Sequence, residues 1–115
     1  MSNKRLEQLL GFLSDGSKDP FIKYAIATEY AKIGDHEKAL SYYNDLVDNE
    51  PLYVGTYYHL GKLLEQLERK EEAVSIYEKG MSVATKVGDR HALSELQTVY
   101  RSALGEFDDD DYDDD

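Results

Sequence analysis

Two stretches of this chain carry the same side chains thirty-four positions apart, and each stretch reads as a pair of helices. The matching pairs are Tyr24 and Tyr58, Glu37 and Glu71, Ala39 and Ala73, Ser41 and Ser75, and Tyr43 and Tyr77. In the first stretch, apolar residues recur at helical spacing on both sides of Gly34-Asp35. Glycine can take the positive φ that ends a helix, and aspartate can cap the next one. The repeat therefore predicts two antiparallel helix pairs.

A helix pair that recurs with this period resembles the tetratricopeptide repeat. The second copy matches the family pattern at Tyr57, Leu60, Gly61, Ala73 and Tyr77, and the first at Tyr30, Ala39, Tyr43 and Pro51. The first copy departs from the pattern at Lys23 and Ala27, and the second at Leu64 and Thr85. An ordinary helical bundle with chance matches is the alternative. The resemblance implies that Tyr30, Tyr43, Tyr57 and Tyr77 are core aromatics, and that the small residues Ala39, Ala73 and Gly80 lie where helices cross closely.

The resemblance implies an all-α fold, a short right-handed α-solenoid of antiparallel helix pairs. We expect one helical domain over residues 1–105, with repeats at about 20–53 and 54–87. Capping helices are expected at about 3–14 and 89–104, and a disordered acidic tail at 106–115. Within the repeats, helices are predicted at about 20–33, 36–47, 53–67 and 70–86. Asp19 should cap the first of them, and Gly105 should end the last helix of the chain.

The N-terminal segment has Leu6, Leu9 and Leu13 at helical spacing, which predicts an amphipathic helix. We interpret it as a half repeat that covers one end of the solenoid. A helix on a membrane surface is the alternative, but this segment is short and has only two basic residues, Lys4 and Arg5. The capping interpretation is therefore preferred.

The net charge of −11 argues against nucleic acid as a partner, because phosphate binding requires a basic face. Seven of the negative charges are aspartates within Asp108–Asp115, which leaves −4 for the rest of the chain. No apolar run approaches the length that crosses a membrane, and cysteine is absent. We therefore expect a cytoplasmic protein without membrane or nucleic-acid contacts. The aspartate run is interpreted as solubilising, as a site for a basic partner, or as an autoinhibitory segment that contacts lysines of the groove.

No pattern of catalytic or metal-binding residues is evident. The histidines His36, His59 and His91 lie on three different helical segments, without metal-ligand spacing. We expect His36 at the surface near a turn, and His59 and His91 within helix packing. The stretch 55–63 resembles a phosphate loop only superficially, since its glycine spacing is wrong and no Ser or Thr follows Lys62. The prediction is a protein without enzymatic activity, cofactor or metal.

The family resemblance implies a binding face on the first helix of each pair. The residues that it places there are Phe21, Tyr24 and Thr28, then Tyr58, Lys62 and Gln66, and on the last helix Leu96 and Tyr100. Tyr24 and Tyr58 are expected to stack as neighbours along a concave groove. The function predicted is a protein- or peptide-binding adaptor module.

The alternative is a structural or oligomerisation module that stacks on itself or on a partner's helical repeats. A monomer is favoured over a homodimer, since both ends appear capped. Relatives that bind acidic chaperone tails carry a carboxylate clamp of Lys, Asn and Arg. Tyr24, Thr28, Ala92 and Leu96 stand at those positions here, so this clamp is missing.

Overall fold

Six α-helices form residues 3–113, which are the residues that this computed structural model describes; side chains are described up to Gly105. The helices are α1 Lys4–Ser14, α2 Pro20–Lys32, α3 His36–Asn49, α4 Gly55–Gln66, α5 Lys70–Val87 and α6 Arg90–Asp113. Residues 3–113 contain no β-strand. The predicted all-α fold of repeated helix pairs is confirmed.

Aspartate side chains begin three of the helices, as the sequence indicated. Asp19 Oδ1 accepts a hydrogen bond from Phe21 N at 3.0 Å, and Asp89 Oδ1 accepts one from Ala92 N at 3.0 Å. Asp35 Oδ1 accepts from the backbone N–H of Lys38 at 3.2 Å. Each bond satisfies one of the backbone donors that a helix leaves unpaired in its first turn. These caps fix where the helices start, and with them the faces that the helices present.

The turns inside the two helix pairs share one backbone conformation. Gly34 has a φ of 85° between α2 and α3, and Glu68, thirty-four residues later, has a φ of 61° between α4 and α5. Glu68 is the single non-glycine residue with positive φ among those described. The repeat therefore dictates a left-handed turn even where the side chain disfavours it.

Contacts divide the chain into two compact units, residues 1–56 and 57–115. In the first unit, α2 packs against both α1 and α3. Its core residues are Leu6, Leu9, Ala25, Ile26, Ala27, Tyr30, Ala39, Tyr43 and Leu46. The carboxylate of Glu29 is also buried, and it accepts a hydrogen bond from Arg5 Nε at 3.1 Å. This ion pair joins α1 to α2.

In the second unit, two glycines let helices approach closely. A Cβ atom added at Gly61 on α4 would lie 2.7 Å from Cζ of Tyr77 on α5, and nearer still to other atoms of that ring. A Cβ atom added at Gly80 on α5 would lie 2.5 Å from Cβ of Tyr57 and 3.1 Å from Cδ1 of Leu96. Real Cβ atoms do not approach so closely, so only glycine fits at either position. The expectation of a close helix crossing at Gly80 is confirmed.

The buried side chains agree with the predicted repeat signature. Ala39 and Ala73 have no exposed surface, and Tyr43, Tyr57 and Tyr77 are at most 1% exposed. Tyr30 is buried as well, at 9% exposure. The remaining core of the second unit consists of Leu60, Leu63, Leu64, Ala84, Leu96 and Ala103. The aromatic residues that mark the repeats therefore fill the cores of the two units.

Three helices have bounds that differ from the predicted ones by two residues or more, namely α3, α4 and α6, and α3 ends at Asn49 rather than near Val47. Helix α4 begins at Gly55 rather than near Tyr53, because residues 51–54 form a turn after α3. Helix α6 continues past Gly105 to Asp113, and Gly105 does not have the positive φ of a helix stop. The expectation that 106–115 forms a disordered acidic tail in solution stays a prediction; Asp114 and Asp115 lie outside the described residues.

Candidate protein-binding surface

Three aromatic rings lie together at the N-terminal end of α2. The ring centroids of Phe21 and Tyr24 are 6.0 Å apart, and those of Tyr24 and Tyr53 are 5.7 Å apart in an edge-on arrangement. Phe21 is 44% exposed, and the two tyrosines are half-buried. We call Phe21, Tyr24 and Tyr53 the aromatic cluster. An accessible group of aromatic rings offers a large contact area with few rotatable bonds to restrict.

The inner edge of this cluster is held by polar contacts to the core. The Thr28 hydroxyl donates to the backbone oxygen of Tyr24 at 3.0 Å and lies 3.0 Å from the Tyr43 hydroxyl. Burial raises the pKa of both Tyr24 and Tyr43, so both stay neutral at physiological pH. Thr28 is thus engaged within its own unit.

In the second unit, three side chains at four-residue spacing lie along α4. Tyr58 is half-buried, whereas Lys62 and Gln66 are exposed. Among the residues that the structure describes, neither Lys62 nor Gln66 has a hydrogen-bond or ion-pair partner. Residues four apart share a helix face, so Tyr58, Lys62 and Gln66 form one strip, which we call the α4 strip.

The two predicted residues on α6 lie differently. Tyr100 is half-buried, and its hydroxyl donates to Glu78 Oε2 on α5 at 3.1 Å. That hydrogen bond to the carboxylate is the main reason why the pKa of Tyr100 is raised. Leu96 is only 1% exposed and packs against Gly80, so the expectation that it faces a partner is corrected. The family resemblance assigned Leu96 to the binding face, but its side chain packs in the core at the close crossing of Gly80.

Neighbouring polar groups of the second unit are also used internally. The Tyr77 hydroxyl donates to the carboxylate of Glu65, and burial, followed by this hydrogen bond, strongly raises the pKa of Tyr77. His59 is half-buried on α4, and burial lowers its pKa. His91 is exposed instead of packed between helices; its Nε2 lies 3.5 Å from Glu95 Oε2. That expectation for His91 was wrong, because its position at the start of α6 leaves the ring in solvent.

The described residues form neither a metal-binding cluster nor a membrane-spanning helix. No three His, Cys, Asp or Glu side chains among them converge as metal ligands. None of the helices, within the described part of the chain, is long and apolar enough to cross a membrane.

The predicted site residues thus group within each unit separately. Phe21, Tyr24 and Thr28 meet on α2, and Tyr58, Lys62 and Gln66 meet on α4. The expected stacking of Tyr24 on Tyr58 would involve both units and stays a prediction. Sequence reasoning missed Tyr53 as a surface residue, because it assigned Tyr53 to the start of a helix. It lies in the turn before α4, where helical spacing has no meaning.

Comparison with known proteins identifies the family. The sequence pattern of the tetratricopeptide repeat matches residues 22–51 and 54–86, so the chain belongs to the tetratricopeptide repeat family. These repeats generally mediate protein–protein interaction, and the repeat itself is a non-catalytic fold. The family assignment agrees with the repeat spacing and with the buried signature residues.

Two solved structures and two further sequences are similar to this chain. A tetratricopeptide repeat domain protein of Salinibacter ruber, solved in solution, is 45% identical with a TM-score of 0.74, over 76% of this chain and 89% of that one. A Bordetella parapertussis protein has a TM-score of 0.80 at 25% identity, over 94% and 93% of the two chains. A repeat-containing protein of Pseudomonas aeruginosa is 25% identical over 84% of this chain and 91% of its own length. The photosystem I assembly protein Ycf3 of Rippkaea orientalis is 35% identical, and the match covers 56% of this chain and 42% of that relative.

Proposed function

We propose that this chain is a non-catalytic adaptor module that binds a protein or peptide along the first helices of its two repeats. The observation that carries the proposal is the α4 strip. Its exposed lysine and glutamine have no polar partner in the part of the chain described, although most nearby polar groups are engaged. Side chains that the fold does not use are available to a partner.

The aromatic cluster on α2 supports the same function. Phe21 keeps almost half of its surface in solvent, and burying such a ring against a partner would be favourable by roughly 1–2 kcal/mol. The proposed binding residues therefore include aromatic anchors in the first unit and hydrogen-bonding groups in the second, and this composition is typical of binding hot spots. Within this proposal, Lys62 binds a carboxylate or carbonyl oxygen of the partner.

The proposal is tested with a partner captured from native lysate and then purified. Its affinity is measured for the native chain and for the combined variant Tyr24→Ala, Tyr58→Ala and Lys62→Ala. We expect Tyr58→Ala alone to weaken binding by roughly 1–3 kcal/mol, with unchanged helicity by circular dichroism. The matched control combines Ser75→Ala, Lys79→Ala and Arg101→Ala, which are exposed positions on α5 and α6. Equal affinity of the binding-face variant and the control would place the site elsewhere.

A structural or oligomerisation module is the second candidate function. Phe12 on α1 is 50% exposed, although α1 caps the first unit, so this cap still presents an aromatic side chain. A second copy or a partner's repeats could cover it. Sedimentation equilibrium separates the two candidate functions. A tight dimer that the substitution Phe12→Ser dissociates would favour the oligomerisation module. A monomer at all concentrations favours the adaptor.

A further inference from the structure

The aromatic cluster lies beside a carboxylate. Asp19 caps α2 immediately before Phe21, and it is exposed. Its carboxylate is close enough to the Tyr53 hydroxyl to contribute to the raised pKa of that tyrosine, after burial and the neighbouring Tyr24. Three accessible rings and one exposed carboxylate therefore meet at the same edge of the first unit.

This combination is suited to a cation. A guanidinium or ammonium group is attracted to the face of an aromatic ring, and a nearby carboxylate adds direct charge attraction. A carboxylate ligand would be repelled by Asp19, and a purely apolar side chain would gain nothing from it. The cluster thus discriminates by charge as well as by shape.

The surroundings provide room for the rest of a bound segment. A cleft of about 230 Å³ includes Asp19 and Pro20 and continues to Asn49 and Glu50 at the end of α3. Glu50 adds a second exposed carboxylate to this edge. Two lysines in the cleft carry a charge that opposes a cation. Lys23 pairs with Asp45 at 2.5 Å, whereas Lys18 has no ion-pair partner in the described structure.

Long-range charge favours the same class of ligand. The chain has a net charge of −11, with 24 acidic and 13 basic side chains. A basic segment is therefore drawn to this protein at a distance, and the cluster then selects one of its cations at contact.

Building on the proposed binding function, we propose that Phe21, Tyr24, Tyr53 and Asp19 recognise an arginine side chain in an extended basic segment of the partner. Arginine is favoured over lysine because its planar guanidinium stacks on a ring while it donates two hydrogen bonds to a carboxylate. Lys18 at the edge of the cleft opposes this binding and limits its strength.

The test titrates short capped Gly/Ser peptides into the ¹⁵N-labelled full chain and follows its amide resonances. One peptide carries two arginines, and the matched peptides carry Gln, Leu or Glu in their place. We expect the arginine peptide to shift the amides of Asp19, residues 21–24 and Tyr53 saturably, and to bind more tightly than the glutamine peptide by roughly two- to fivefold. The same titration with residues 108–115 deleted separates this site from attraction to the acidic tail.

Point variants then assign the site. Asp19→Asn should weaken the arginine peptide by a similar factor, because asparagine still caps the helix but carries no charge. Tyr53→Leu should weaken it too, Lys18→Gln should strengthen it, and the control Glu71→Gln on α5 should change nothing. Equal effects of Asp19→Asn and Glu71→Gln, or shifts confined to the tail, would overturn the proposal.

The peptide series also separates this inference from the proposed function. If the leucine or glutamate peptide binds the cluster or the α4 strip as tightly as the arginine peptide, the cation specificity is wrong and the binding function stands. If the captured partner ignores every binding-face variant, the function itself fails, whatever the peptides do.

Discussion

Two glycines show how single residues determine the packing of the second unit. Gly61 and Gly80 have no room for a methyl group, because the rings of Tyr77 and Tyr57 occupy that space. Neither glycine has a positive φ, so its conformation would suit alanine. Space, and not backbone geometry, is what requires glycine at these positions.

We therefore expect Gly80→Ala to destabilise the protein by roughly 1–3 kcal/mol in urea unfolding, through overpacking against Tyr57 and Leu96. The matched control is Gly11→Ala in α1, where a Cβ atom meets nothing within 4 Å. That substitution should stabilise by roughly 0.5–1 kcal/mol, because alanine favours helix. Equal effects of the two substitutions would show that the contact at Gly80 relaxes freely.

A second prediction concerns the left-handed turn residues. Glu68 adopts a φ of 61°, where Gly34 stands in the first repeat with 85°. Non-glycine residues pay a steric cost in this region, so Glu68→Gly should stabilise the protein by about 1 kcal/mol. The reciprocal change Gly34→Ala should destabilise it by a similar amount, measured by thermal unfolding. A destabilising Glu68→Gly would mean that the Glu68 side chain supports the turn.

At the scale of the helices, the repeat spacing was sufficient to predict the pairs and their caps. Asp19, Gly34 and Asp35 are local signals for helix ends, and these helix ends need little beyond them. Local signals failed where the outcome depended on contacts between helices, as for the burial of Leu96.

The surface was less predictable than the helices. Tyr53 joins Tyr24 through a turn, and a periodic pattern cannot place a side chain that lies outside a helix. The end assigned at Gly105 was wrong for a related reason: glycine ends a helix only when its φ becomes positive, and the sequence does not reveal φ.

Helix α1 supplies the prediction for this scale. Its buried leucines pack on the first unit, and Arg5 reaches the buried carboxylate of Glu29, which also lies 3.4 Å from Lys32 Nζ. Arg5→Gln should weaken the docking of α1 by roughly 0.5–1 kcal/mol, seen as faster amide exchange in residues 6–13. The control Lys4→Gln also removes one positive charge. It should have little effect, because Lys4 has no such partner in the described structure. Equal exchange in both variants would show that the leucines alone hold α1.

At the scale of the whole molecule, charge is divided between the helical domain and the aspartate run. The run carries seven of the eleven net negative charges and has no apolar side chain except Tyr112 to pack. Repulsion between the aspartates weakens the helix at this end, so we expect the last turns of α6 to fray in solution and residues 108–115 to have low heteronuclear NOE values.

Deletion of residues 108–115 tests whether this run acts on the binding face. We expect the amide resonances around Lys62 to stay unchanged, because a solubilising segment does not contact the α4 strip. Solubility at neutral pH should fall, since the net charge drops from −11 to −4. Shifted resonances at Lys62 in the shortened chain would indicate an autoinhibitory contact instead.

The hydroxyl of Tyr77, held by Glu65 in a buried site, also makes the protein an optical reporter of its own unfolding in alkali. The chain has ten tyrosines and no tryptophan, so its near-ultraviolet absorbance comes mainly from phenol rings. The pKa of Tyr77 is raised in the folded state. The stability that this group contributes is therefore fully present below its pKa in the unfolded chain, which is about 10, and is lost as the pH rises further. Phenols nearer to the solvent ionise first, and the buried phenols of the second unit follow only when the unit opens. A spectrophotometric titration should therefore show two waves of phenolate absorbance, the second of them coincident with the loss of helical ellipticity.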